Sequence, residues 1–127
     1  MTEEEIKAEM ILDHYRNPRN YGKLENATSS ITEYNPICGD TVHMQILFEG
    51  GKVGDVKFIG RGCSISQAAA SMITEMIKGK TVDEIMAMKK DDFLSVIGFN
   101  LGPAREKCAL LSFNAVEKLV KVYKNEI

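Results

Sequence analysis

At 127 residues, 44% of them apolar and 27% charged, the chain has the material for a single domain, 1–127, with a core of its own. A net charge of −2 excludes the strongly basic footprint of a nucleic-acid binder, and no apolar run approaches the roughly 20 residues that cross a bilayer. The acidic start Glu3-Glu4-Glu5 matches neither a secretory nor a basic transit leader, and an odd count of three cysteines points to free thiols in a reducing, cytoplasmic setting.

Thr2-Glu3-Glu4-Glu5 has the form of a capping box, with Thr2 as N-cap and Glu5 reaching back, so a helix starts there. Ile6, Met10 and Ile11 supply its apolar stripe, and Asn17-Pro18 ends it, because the proline ring disfavours helical backbone in the residue before it. Polar residues with Gly22 make 18–30 a loop, and 31–34 reads as a short strand. Pro36 then bends the chain and presents Cys38-Gly39-Asp40 as a turn. Val42, Met44, Ile46 and Phe48 alternate with Thr41, His43, Gln45 and Leu47, the period of a strand with one buried face. Gly50-Gly51 is a hairpin signal and 53–59 the returning strand, which completes a meander of three antiparallel strands. Gly60 and Gly62 punctuate the exit, which ends in Cys63.

From Ser64 to Lys78 the period becomes helical. Ile65, Ala68, Ala69, Met72, Ile73 and Met76 form one face, and Gly79 is a natural stop. Thr81-Val82-Asp83-Glu84 is a second capping box that opens a short helix through Ile85 and Met88. Asp91 or Asp92 caps another, carrying Phe93, Leu94 and Ile97. After a break at 98–102, Pro103 suits the first position of a last helix, with Cys108, Leu111, Ala115, Leu119 and Val122 down one face. The fold class is α+β, with helices packed mainly on one face of the three-stranded antiparallel sheet.

The three cysteines stand at the edges of these elements and read as exposed, so three thiols that cannot all pair within one chain are left for other chemistry. Three thiolates plus one carboxylate fill a tetrahedral metal site, and Asp40 is two residues beyond the first thiol. Cys63 begins a helix, where unpaired N–H groups stabilise a negative sulfur, and Cys108 has Arg105 and Lys107 beside it in sequence. A carboxylate is a weaker and more exchangeable ligand than a fourth sulfur, which suits a carrier that releases its cargo. The plainer alternatives are that each cysteine packs as a small apolar residue, and that Asp40 merely caps turn N–H groups. His14 reads as a packing or capping residue and His43 as half-exposed. The methionines Met72, Met76, Met86 and Met88 read as core filler.

The chain also resembles a known family. Asp13-His14-Tyr15 with Asn17-Pro18-Arg19-Asn20 and Gly22, Cys38-Gly39-Asp40, Gly62-Cys63-Ser64-Ile65-Ser66, Lys78-Gly79-Lys80 and Ala104-Arg105-Glu106-Lys107-Cys108 are similar to the IscU/NifU-type iron–sulfur cluster scaffolds, which include the SufU branch. The resemblance, spanning about 10–120, implies a SufE/NifU-like fold in which Cys38, Cys63 and Cys108 hold a nascent 2Fe-2S cluster or a zinc ion. It implies that Asp40 is a ligand or promotes release, and that Cys108 accepts persulfide sulfur from a cysteine desulfurase. The expected function is therefore assembly of clusters (2Fe-2S, with 4Fe-4S reached by fusion in a homodimer) from iron and sulfide, and their transfer to apo iron–sulfur proteins. A zinc-dependent sulfurtransferase of the SufU type is the alternative. Lys107 stands where IscU proteins carry a histidine, which leaves the fourth ligand to Asp40, a partner or solvent. Leu101-Gly102-Pro103-Ala104-Arg105 replaces the Leu-Pro-Pro-Val-Lys segment read by a dedicated chaperone, so that partner is not implied. The interval from Cys63 to Cys108 is too short for the insertion usual in SufU.

Overall fold

The computed structural model describes residues 1–98 and 101–126. Helix α1 (Glu3–Arg16) begins as a half capping box: Thr2 Oγ1 accepts the Glu5 N–H at 3.1 Å, while the Glu5 carboxylate meets the Thr2 hydroxyl instead of its N–H. Asn17 ends it ahead of the proline, as expected. The expected stripe is covered only at Ile11; Ile6 and Met10 are exposed, because α1 leans on one neighbouring helix and barely touches a second.

Strands β1 (Ser29–Asn35), β2 (Asp40–Glu49) and β3 (Lys52–Arg61) form one antiparallel sheet in the order β1-β2-β3. Val42, Met44, Ile46 and Phe48 are buried as their alternation demands, and Gly50 and Gly51 both take positive φ in the β2–β3 turn, as a tight hairpin requires. Helices α2 (Ser64–Ile77) and α5 (Pro103–Glu126) cover this apolar face, and α3 (Val82–Met86) and α4 (Lys90–Ile97) pack against α5. Phe48 stacks on Tyr123, and Phe93 meets Phe113, tying β2 and α4 to α5. No helix among the described residues is long and apolar enough to cross a membrane.

Three further local expectations change. Helix α2 is buried nearly all round from Ile65 to Thr74 rather than on one face, since α1, α5 and the sheet enclose it. The Thr81–Glu84 capping box forms in full, but α4 starts after Lys89 with no side-chain cap, and Asp91 and Asp92 lie in its first turn, where the helix dipole favours them. Val122 and Met86 are exposed, beyond the face that α5 and α3 present to the core. The break at 98–102 falls partly on 99 and 100, which lie outside the described residues.

The outer face of the sheet is not left to solvent. Asn20 and Gly22 bond to Phe58 on β3, Leu24 N–H donates to Gln45 Oε1 on β2 at 3.0 Å, and Thr28 N–H reaches Ile46 O at 2.9 Å. The loop between α1 and β1 thus runs from β3 across β2 before it enters β1, and buries Gln45 on the side opposite Met44. Its start is fixed by a polar knot against α2, in which Ser71 Oγ accepts the Arg19 N–H and pairs with His14 Nδ1, each at 2.8 Å. Burial holds the His14 pKa below 6.5, assisted by the Arg19 charge and opposed by Asp13 and Glu75. A depressed histidine contributes its stability in full above the unfolded value and loses it as pH falls toward the folded one. Chemical denaturation should therefore show stability dropping below pH 6.5, and His14→Gln should flatten that slope.

Candidate metal centre

One end of the sheet gathers the residues of interest. The turn 36–39 carries Cys38, exposed, and is closed by Gly39 N–H donating to Asn35 O at 2.8 Å. Asp40 opens β2 opposite Asn35 and is 1% exposed. Its Oδ1 accepts the Cys63 N–H at 2.9 Å, and its Oδ2 faces the Cys63 thiol at 3.5 Å. Cys63 is exposed and serves as N-cap of α2, its Sγ accepting the Ser66 N–H at 3.5 Å. The buried Ser66 hydroxyl donates to Cys63 O and accepts from Gln67 Nε2, which braces the β3–α2 junction. Cys108, in the second turn of α5, brings its thiol to 3.4 Å from Cys38 Sγ.

Among the described residues, the ligand atoms of Cys38, Asp40 and Cys108 lie within 4.8 Å of one another. Cys63 adjoins this group through Asp40. Three of the four expected ligands are thus together, and the fourth is one contact away. The two readings of Asp40 both hold in part, since the same carboxylate caps a backbone N–H and stands among the thiols.

Cys108 corrects the expectation of three exposed thiols: it is 3% exposed, on the face of α5 turned to the sheet, while Arg105 and Lys107 on the same helix face solvent. The cations next to it in sequence therefore do not set its acidity. Burial pushes its pKa up, helped by hydrogen bonds to Asp40 and Cys38 and by the charges of Cys63 and Asp40. A crowd of anionic ligands that disfavours a further negative charge is what a divalent cation relieves, since a coordinating thiol is deprotonated outright. Neither histidine belongs to the site: His14 is engaged by Ser71, and His43 Nδ1 pairs with Thr32 Oγ1 at 2.8 Å.

Two contributors were not among the expected site residues. Gly62 has φ +139°, and a Cβ there would lie 2.0 Å from Asp40 Oδ1, so only glycine lets the carboxylate reach the Cys63 N–H. Asn35 is buried, and its pairing with Asp40 follows from a tight β1–β2 connection.

The chain is similar to curated proteins along nearly its whole length. It is 40% identical to the zinc-dependent sulfurtransferase SufU of Bacillus subtilis (strain 168), over 87% of this chain and 86% of the relative. It is 32% identical to the iron–sulfur cluster assembly scaffold protein IscU of Escherichia coli (strain K12), over 94% of each. The crystal structure of FiSufU, a SUF-system protein of Fervidobacterium islandicum AW-1, superimposes with a TM-score of 0.78 at 32% identity, over 94% of this chain and 99% of that one. The N-terminal part of a NifU-like protein from Brucella abortus shares the fold, with a TM-score of 0.77 at 23% identity over 93% of this chain and 94% of that one. The family model of the NifU-like N terminal domain matches residues 6–127, and this chain, an α+β meander with helical cover, belongs to that family.

Proposed function

We propose that this protein is a scaffold on which iron–sulfur clusters are assembled from iron and sulfide and from which they pass to apo-proteins. The observation that carries the reading is the convergence of Cys38, Asp40 and Cys108 within 4.8 Å, with Cys63 beside Asp40. The cluster is cargo, and the ligand set suits cargo. Cys38 and Cys63 are exposed, so iron, sulfide and an acceptor's thiols can reach them, while Cys108 backs the site from the core. Asp40 supplies a harder, more exchangeable oxygen donor among soft sulfurs, and its Oδ1 is already committed to the Cys63 N–H. A ligand divided between metal and backbone is easily given up. A 2Fe-2S cluster is the expected product, and a cysteine desulfurase or free sulfide the sulfur source.

Anaerobic reconstitution with iron and sulfide tests this. The wild type should develop the visible and Mössbauer signature of a 2Fe-2S cluster, and Asp40→Ala should hold that cluster severalfold longer against an apo-acceptor. Absence of a chromophore, or one indifferent to Cys63→Ser, overturns the reading.

The identity to the Bacillus zinc-dependent sulfurtransferase and the presence of Lys107 favour a second reading, in which zinc occupies the thiolates and the protein relays sulfur. A Cys108 thiolate would attack the outer sulfur of a donor persulfide. The donor S–S bond breaks, the donor cysteine leaves as thiolate, and a new S–S bond forms on Cys108, with no net oxidation. Tight zinc, no cluster and a mass increase of one sulfur on Cys108 in the presence of a desulfurase would select this reading.

A further inference from the structure

Asn35 meets the centre at two points, the turn that carries Cys38 and the Cys108 sulfur. It is the last residue of β1, 7% exposed, and stands opposite Asp40 in the strand register. Its backbone carbonyl accepts the Gly39 N–H at 2.8 Å, and its side-chain Oδ1 accepts the Ile37 N–H at 3.1 Å. The turn that carries Cys38 is therefore gripped on both sides by one residue. The orientation of the amide follows from this: with Oδ1 committed to a backbone donor, the NH₂ end has to face the other way. It faces Cys108, with Nδ2 donating to Sγ at 3.8 Å.

We infer that Asn35 is a positioning residue of the metal centre, which sets the Cys38 turn against α5 and donates an N–H···S hydrogen bond that strengthens when Cys108 binds metal. The inference rests on the reading that this site holds a metal or cluster. Its physical basis is differential. A neutral thiol is a weak acceptor, whereas a thiolate takes a charge-assisted bond of roughly twice the strength of a neutral pair. The same donor therefore stabilises the loaded site more than the empty one. Hydrogen bonds to ligand sulfur also draw density from it, which favours the reduced state of an iron–sulfur cluster. The cations beside Cys108 in sequence do not duplicate the contact, because Lys107 and Arg105 face solvent while the Cys108 sulfur is buried.

Two variants of the full chain separate positioning of the turn from donation to sulfur. Asn35→Ser keeps a short neutral acceptor for the Ile37 N–H but cannot reach Cys108, and Asn35→Ala removes both functions. The measurements are the rate at which zinc is lost to a chelator and the reduction potential of the reconstituted cluster, with thermal melting of the metal-free protein alongside. Both variants should lose zinc about tenfold faster or more, the scale typical of partners that orient metal ligands. Both should also show a lower potential, and metal-free Asn35→Ser should melt close to wild type. An Asn35→Ser protein that holds zinc and poises the cluster like wild type overturns the inference. So does a variant whose only defect is a lower melting temperature without metal. A wild type that loads neither zinc nor cluster instead overturns the reading of the site, and this inference falls with it.

Discussion

Gly62→Ala should cost about 3 kcal/mol of stability and lower metal uptake by more than tenfold. At φ +139° an L side chain is strained, a cost of order 1–3 kcal/mol, and the new Cβ would lie 2.0 Å from Asp40 Oδ1 and 3.0 Å from its Cα. The contact is with the carboxylate that caps Cys63, so relief comes only by breaking a buried hydrogen bond to a charged group, worth about 1.5–3 kcal/mol. Gly39→Ala provides the contrast. Gly39 also has positive φ, at +72°, but nothing lies within 4 Å of a Cβ there, so only backbone strain of about 1 kcal/mol applies. Urea denaturation with zinc titration of both variants measures the difference. Equal effects would show that Asp40 is free to move and has no part in holding the Cys63 junction.

Phe58→Ala should be the costlier change for the fold, at about 3–5 kcal/mol. Phe58 is fully buried on β3, directly across from Met44 and in edge contact with Tyr21 at 5.3 Å between ring centres. Its backbone also receives the strap, with Phe58 N–H donating to Asn20 O at 3.0 Å and Gly22 N–H to Phe58 O at 2.9 Å. Truncation therefore leaves a cavity under the sheet and loosens the ring that anchors the strap. Tyr21→Ala, half-exposed, should cost far less. A loss below about 1.5 kcal/mol for Phe58→Ala would mean that the strap and α2 collapse into the space.

The strand period and the local turn and cap signals are read correctly: Val42 to Phe48 alternate, Gly50-Gly51 turns, and Thr81 to Glu84 forms its box. Periodicity reports how many sides a segment buries only when one side is wet. Helix α2 breaks that condition, since its polar residues are buried: Ser71 and Thr74 bond to His14 and Asn20 far off in sequence, and Ser66 and Gln67 bond to each other. Ile6 and Met10 err the other way, as apolar residues on a helix with too few neighbours to cover them. The proposed ligands Cys38, Asp40, Cys63 and Cys108 were legible from residue chemistry and family motifs, but the depth of Cys108 was not. The charges at Arg105 and Lys107 suggested a wet helix face, whereas a helix turns 100° per residue and delivers the next side chain inward. Asn35 and Gly62 escaped for a different reason. Their roles exist only between strands that meet in space, and no single segment records them.

The Cys38 and Cys108 sulfurs are 3.4 Å apart in space and 70 positions apart in sequence. An ion bonded to both ties the chain into a large ring, and the entropy so removed is that of the unfolded chain, as it is for a disulfide. Occupancy is then recorded in the lifetime of the protein as well as in its colour. On the proposed function, a molecule that has given up its metal opens more often and is the first that a protease can cut, which would link delivery and turnover of the carrier without any dedicated signal.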